Sequence, residues 1–402
     1  MIPRPGYLEK LIAQKDRDLV KVVTGIRRCG KSVLLMELYT NWLLEQGVRP
    51  EQIVQVDLEL KDNERLRDAD ALYEHVCERI GGDGPHYVMI DEVQLAEGFV
   101  DVVNSLNKKG CDVYVTGSNS TMLSSEIETA FRGRSIEIRV WPLSFSEYHS
   151  WSGGDVRQDY NDYLLYGGMP YVTSYGTREG KTGYLKMLES TVATRDIVER
   201  HRVRNVAAFE AVYDFLCSNI GSVVSANSIA KALRGSGFKT MTADTVGQYL
   251  SHLAEAFLFD KVLRYDVKGK AYLKTLNKYY IADLGLRNAH MNYRQVEVTH
   301  ALENIVYLEL VRRGLTVDIG KNREKEIDFV AVGERETYYI QVAYSIAERS
   351  TEEREYAPLE RTRDSYPKYL LTCDRLLQKR SGVIHENLVR FVTEERRFGM
   401  GL

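Results

Sequence analysis

Gly25-Ile26-Arg27-Arg28-Cys29-Gly30-Lys31-Ser32 narrows the possible folds of this chain more than any other stretch. It follows a β-branched run, Val20–Thr24, and leads into an amphipathic stretch, Ser32–Leu44. Strand, glycine loop with a terminal Lys-Ser, then helix is the context of a phosphate-binding loop rather than of a chance glycine turn. The glycines let backbone N–H groups curl around a polyphosphate, and the helix turns its positive end toward it. Gly25, Arg28, Cys29, Gly30, Lys31, Ser32 and Val33 are therefore the expected ATP contacts, with Lys31 reaching the β and γ oxygens and Ser32 ligating Mg2+.

Tyr87-Val88-Met89-Ile90-Asp91-Glu92 is an apolar run ending in two acids. Asp91 is expected beside the Mg2+ and Glu92 where it polarises the attacking water, which points to hydrolysis rather than nucleotide holding. The plainer alternative is a buried strand followed by a solvated acidic turn. Val113–Asn119 is a third strand, ending in small polar residues; either Asn119 or Ser118 suits a sensor of the γ-phosphate, and an ordinary Gly-Ser-Asn turn is the alternative. Arg134, in Arg132-Gly133-Arg134, is a candidate arginine finger acting on its own or a neighbouring subunit's nucleotide, or else an exposed salt-bridging arginine.

Short β-branched runs alternate with amphipathic stretches from about residue 18 to 140, so an α/β fold with a largely parallel sheet is predicted there. The 402 residues exceed one comfortable core, and 44% hydrophobic with 28% charged residues is globular composition, which excludes wholesale disorder. Residues 141–207 read as a helical lid or connector broken at Gly167-Gly168-Met169-Pro170. Residues 208–290 read as three helices and two basic strands, the order of a winged helix-turn-helix. One of those helices is opened by Thr242 and shows an apolar face at Val246, Tyr249, Leu250, Leu253, Ala254 and Phe257. A smaller α/β domain follows over 291–402. Five scattered cysteines with no CxxC pair support neither a disulfide framework nor a zinc site and suit a reducing compartment. No run is long and apolar enough for a membrane helix, and MIPRPGYLEK lacks the apolar stretch of a signal peptide, so no membrane association and a cytoplasmic location are expected.

The set GIRRCGKS, YVMIDEVQ, VYVTGSNSTMLSSEI, FRGRS, WPLSFSEY and YLLYGGMPYV resembles the prokaryotic AAA+-like ATPase family whose members carry a C-terminal domain of formerly unknown function. The resemblance continues through TADTVGQYLSHLAEAFLFDKVLRY, NKYYIADLGLRN, ALENIVYLEL and EIDFV, and so covers nearly the whole chain. It implies a AAA+-like P-loop core, a winged-helix module and a C-terminal domain similar to the PD-(D/E)xK nuclease fold. In that fold a helix acid, a strand acid and an acid-x-lysine gather metal ions; here Glu303, Asp328 and Gln341-Val342-Ala343 take those places. An amide replaces the third carboxylate and an alanine the lysine, so an inactive site is expected, with Lys325 the nearest candidate for a migrated lysine.

The stretch 261–280 sets Lys261, Arg264, Lys268, Lys270, Lys274 and Lys278 against the single acid Asp266, a local surplus in a chain of net charge −3. On a wing beside a helix exposing Asp244, Thr245, Gln248 and Ser251, Lys268, Lys270 and Lys274 could neutralise DNA phosphates while Gln248 meets a groove. Asp244 would repel phosphate, and a protein-packing module with a solvated lysine face is the alternative. Together these readings predict an oligomeric ATPase whose nucleotide cycle moves a DNA-binding C-terminal half. The main alternative is a nucleotide-switched signalling or defence protein without DNA. A small-molecule kinase fits less well, because Glu92 favours water as the acceptor.

Overall fold

The computed structural model describes residues 2–82, 84–118, 131, 133–269, 271–294, 298–322, 325–334 and 336–394, with the backbone alone at 273–275 and 379. It divides into two compact units, residues 1–142 with 255–257, and residues 143–254 with 258–402.

The first unit is built on five parallel strands: β1 (Val20–Thr24), β2 (Ile53–Asp57), β3 (Tyr87–Asp91), β4 (Asp112–Gly117) and β5 (Ser135–Arg139), in the order β2-β3-β4-β1-β5. The three inner strands are buried at every position, whereas the edge strand β2 alternates buried and accessible residues. Continuous apolar runs are what a parallel sheet covered on both faces requires. Its core gathers Val20, Val22, Val54, Val88, Ile90, Val113 and Val115 with Leu72 and Val76 of the helix Ala69–Cys77 and Val103 and Leu106 of the helix Phe99–Lys108. The expected helix after the glycine loop forms in two parts, a π-helical turn Val33–Tyr39 and an α-helical part Thr40–Glu45. Such wide turns are rare and cluster at functional sites.

In the second unit the helices Phe145–Ser152, Val156–Tyr166 and Arg178–Thr191 come first. Gly168 between them donates its N–H to buried Asp283 at 2.7 Å; a Cβ at Gly167 would lie 2.1 Å from the same carboxylate and one at Gly168 2.3 Å from Leu143 O, so both glycines are required by close approach. Three further helices follow, Val206–Ser218, Ala226–Gly235 and Ala243–Glu255, the last with Thr242 Oγ1 accepting from Thr245 N as expected of a cap.

The remaining strands are β6 (Phe259–Asp266), β7 (Ala271–Ile281), β8 (Thr316–Asn322), β9 (Lys325–Val332), β10 (Thr337–Val342), β11 (Lys368–Thr372), β12 (Lys379–Arg380) and β13 (Val383–Asn387). They form one mixed sheet in the order β12-β13-β11-β10-β9-β8-β6-β7. The basic hairpin β6–β7 thus does not stand apart as a wing: β6 pairs in parallel with β8, so the expected boundary at residue 290 runs through a continuous sheet. The helix Val298–Arg312 locks onto the end of β7, where Asn304 accepts from Ile281 N at 2.8 Å and donates to Ile281 O at 2.9 Å.

Candidate nucleotide site and a buried ion cluster

Gly25-to-Ser32 leaves the C-terminal end of β1. Gly25 has φ 144° and a Cβ there would meet Val140 O at 2.1 Å; Gly30 has φ 103° and Arg28 the left-handed φ 66°. The loop is held from outside by Arg4, which donates to Cys29 O at 3.2 Å and Trp141 O at 2.9 Å. Cys29 is fully buried, its Sγ 3.3 Å from Val140 O, and burial pushes its thiol pKa up. Lys31 is also buried and donates to its own loop carbonyls, Gly25 O at 3.0 Å and Ile26 O at 3.3 Å. Val33 opens the helix with an exposed side chain, and Arg27 pairs with Glu59 at 3.1 Å.

Asp91 ends β3 beside that loop, near enough for the Ser32 hydroxyl to act on its carboxylate. Burial raises the Asp91 pKa, Glu92's charge adds to the effect, and the Thr116 and Ser32 hydroxyls with Lys31 pull against it. A divalent cation held by Ser32 and Asp91 would offset that desolvation, so these residues suit Mg2+. Glu92 adopts the left-handed φ 50°, which a non-glycine residue keeps only when its surroundings enforce it. Its N–H is held by Thr116 Oγ1 at 2.9 Å, and the same hydroxyl donates to Asp91 Oδ1. Glu92 Oε1 lies 3.8 Å from Lys31 Nζ, and its Oε2 accepts from Ser118 Oγ at 3.1 Å and from Gln94 Nε2.

The structure therefore brings together Lys31, Ser32, Asp91, Glu92 and Ser118. Asn119 lies outside the described residues. Thr116 was missed, although a polar residue inside the apolar run Val113–Gly117 is the signal that would have found it.

Arg134 corrects one expectation. It precedes β5, and its carbonyl accepts from Val20 N at 2.8 Å, so it stands at the start of β1. The whole of that strand, five residues and about 16 Å of rise, separates it from the loop at the other end. A finger acting on its own subunit's nucleotide is excluded by that placement.

In the second unit Glu303, Asp328 and Gln341 lie together around a cation, Lys278, that the sequence reading counted in the basic surplus of residues 261–280. Lys278 is 3% exposed, and its Nζ lies 2.7 Å from Glu303, 2.8 Å from Glu326 and 4.0 Å from Asp328. It, rather than Lys325, supplies the ammonium of this cluster. Burial opposes its charge, yet the Glu303, Asp328 and Glu326 carboxylates outweigh that and raise its pKa. Burial likewise works against ionised Glu303, but the Lys278 charge, the nearby His300 and hydrogen bonds from Lys278 and Tyr280 lower its pKa overall. Asp328 goes the other way: burial, reinforced by Glu303's charge, raises its pKa well above the usual carboxylate range. Asp328 accepts from Val342 N at 2.8 Å, and Gln341 donates to Glu355 at 2.9 Å.

The candidate DNA face is correspondingly smaller. Gln248 and Lys268 are exposed, whereas Arg264 is half-buried and 3.8 Å from Glu326. Lys270 lies outside the described residues, and of Lys274 only its backbone, in β7, is described. No helix among the described residues is long and apolar enough to cross a membrane.

Residues 17–149 match the AAA domain family, and residues 157–297 match a domain of unknown function. An uncharacterized protein of Haemophilus influenzae is 38% identical over 379 residues, covering 92% of this chain and 93% of that one. An uncharacterized protein of Methanocaldococcus jannaschii is 27% identical over 363 residues, covering 85% of this chain and 78% of that one. Among solved structures, a Walker-type ATPase of Pyrococcus abyssi matches with a TM-score of 0.50 at 15% identity, covering 72% of this chain and 96% of that one. That last likeness is one of fold.

Proposed function

The chain belongs to the family represented by the Haemophilus influenzae protein and carries an N-terminal AAA domain, and from that premise we propose that it binds ATP with Mg2+ and hydrolyses it. The supporting observation is the convergence of Lys31, Ser32, Asp91 and Glu92 at the C-terminal ends of β1 and β3, with the Thr116 hydroxyl donating to Asp91 and Lys31 3.8 Å from Glu92. The loop amides would surround the β-phosphate. Lys31 would exchange its loop carbonyls for phosphate oxygens. Ser32 and Asp91 would hold Mg2+, which when bound neutralises charge on those oxygens. Glu92 takes a proton from the attacking water, and Thr116 keeps Asp91 and Glu92 in register through one hydroxyl. The test is phosphate release with and without Mg2+; no metal-dependent turnover above that of Lys31→Ala would overturn the reading.

We further propose that residues 141–207 connect the ATPase core to a C-terminal half that engages DNA through Gln248, Lys268, Lys270 and Lys274. On this reading the sheet β6 to β13, with the cluster of Glu303, Asp328 and Gln341, is an inactive nuclease-like domain, and Arg134 acts on a neighbouring subunit in an oligomer. A nucleotide-switched protein without DNA is the second reading, favoured by one observation: Lys278, part of the basic surplus, is buried against carboxylates. DNA that raises the ATPase rate, less so as salt increases, supports the first reading. A rate indifferent to DNA supports the second.

A further inference from the structure

Glu92 is tethered by the residue two places after it. Gln94 sits in the short turn Val93–Leu95, and its amide Nε2 donates to the Glu92 Oε2 that also accepts from Ser118. The other lobe of the same amide, Oε1, is buried and has no hydrogen-bond partner among the described residues. A buried acceptor left unpaired beside a reacting carboxylate requires a reason.

We propose that Gln94 is a positioning residue for hydrolysis: Nε2 fixes the Glu92 carboxylate, and Oε1 accepts the second hydrogen of the attacking water. This rests on Glu92 being the base. A water molecule has two O–H bonds to direct. With one aimed at Glu92 and the other at Gln94 Oε1, a lone pair is left for the γ-phosphorus. The water oxygen then bonds to that phosphorus, the bond from phosphorus to the β–γ bridging oxygen breaks, and its electron pair leaves with ADP. One water proton passes to Glu92, and the other remains on the phosphate formed. A tether that merely braced the turn would stabilise the fold without acting through Glu92.

The experiment is a double-mutant cycle on single-turnover hydrolysis, with ATP affinity measured separately, for the parent, Gln94→Ala, Glu92→Gln and the double variant. Gln94→Ala should bind ATP as the parent does and hydrolyse it about 10- to 100-fold more slowly. The double variant should be no slower than Glu92→Gln alone, because a residue acting through Glu92 has nothing left to position. Parental turnover in Gln94→Ala, or costs that multiply in the double variant, would overturn the inference while leaving Glu92 as the base. Parental turnover in Glu92→Gln would instead remove the base itself, and this inference with it. Should Gln94→Ala lose its cooperative thermal transition, Gln94→Met keeps the bulk without either polar atom and serves in the same cycle.

Discussion

The Lys278 ammonium lies 2.7 Å from Glu303 Oε1 deep in the second unit, at the centre of carboxylates that the sequence pattern associates with a metal ion. With a cation of the protein's own already there, Glu303 and Glu326 are compensated without one. No Mg2+- or Mn2+-dependent cleavage of duplex, single-stranded or branched DNA is expected. Gln341 offers a weaker ligand than a carboxylate, and Ala343 offers no ammonium on its strand. Labelled substrates incubated beside an Asp328→Ala variant check this; nicking that disappears in the variant would refute it.

Lys278→Met should destabilise the protein by about 3–5 kcal/mol, the usual consequence of stranding buried charges by removing one partner. Urea unfolding followed by circular dichroism gives the number. A loss below about 1 kcal/mol, typical of an exposed pair, would mean the cluster is solvated in solution.

At the nucleotide site, Lys31→Ala should abolish tight ATP binding, since Lys31 is the cation assigned to the β and γ oxygens of a polyanion. Glu92→Gln should keep ATP bound and slow turnover by about 10²-fold or more. Equilibrium binding of a fluorescent ATP analogue together with phosphate release separates the two effects. Loss of binding in Glu92→Gln, or retained binding in Lys31→Ala, would reverse the roles assigned here.

Arg134→Ala should slow hydrolysis without weakening nucleotide binding, because a finger stabilises charge that develops in the transition state. Its position at the far end of β1 makes the effect one between subunits. Mixing Arg134→Ala with Glu92→Gln protein should restore part of the activity, and two inactive partners that stay inactive when mixed would argue for a structural role.

Asp283 supplies a pH dependence. Burial raises its pKa to about 6 from 3.8, against hydrogen bonds from Gly168 and Leu286, the nearby Gly285 N–H and the charge of Arg312. A carboxyl that binds its proton more tightly folded than unfolded contributes most stability below the unfolded value and loses it as pH rises through the folded one. Its contribution should therefore fall between pH 4 and 6, by up to about 3 kcal/mol. Asp283→Asn should flatten that slope in urea midpoints taken from pH 4 to 7; a parent-to-variant difference constant over that range would contradict it.

What the sequence by itself determined is what local chemistry dictates. Gly25-to-Ser32 could only serve as a tight loop between strand and helix. The apolar runs at Val20, Tyr87 and Val113 had to be inner strands of a covered parallel sheet, and Asp91 and Glu92 had to follow one of them. Within the C-terminal sheet β8 to β11 were legible as apolar runs, whereas the two-residue β12 and the six-residue helix Leu388–Thr393 carry too few residues for a pattern. Only tertiary structure decided which end of the sheet Arg134 occupies, since that depends on β5 lying parallel to β1. It also decided that Lys278 faces inward. A period-2 pattern puts Lys278 and Tyr280 on one face of β7, but whether that face meets water or the helix Val298–Arg312 depends on chain folded from elsewhere. The Gln94 tether to Glu92 has the same origin: the residues are neighbours in sequence, yet it takes the left-handed turn at Glu92, enforced by Thr116 from the adjacent strand, to bring amide and carboxylate together.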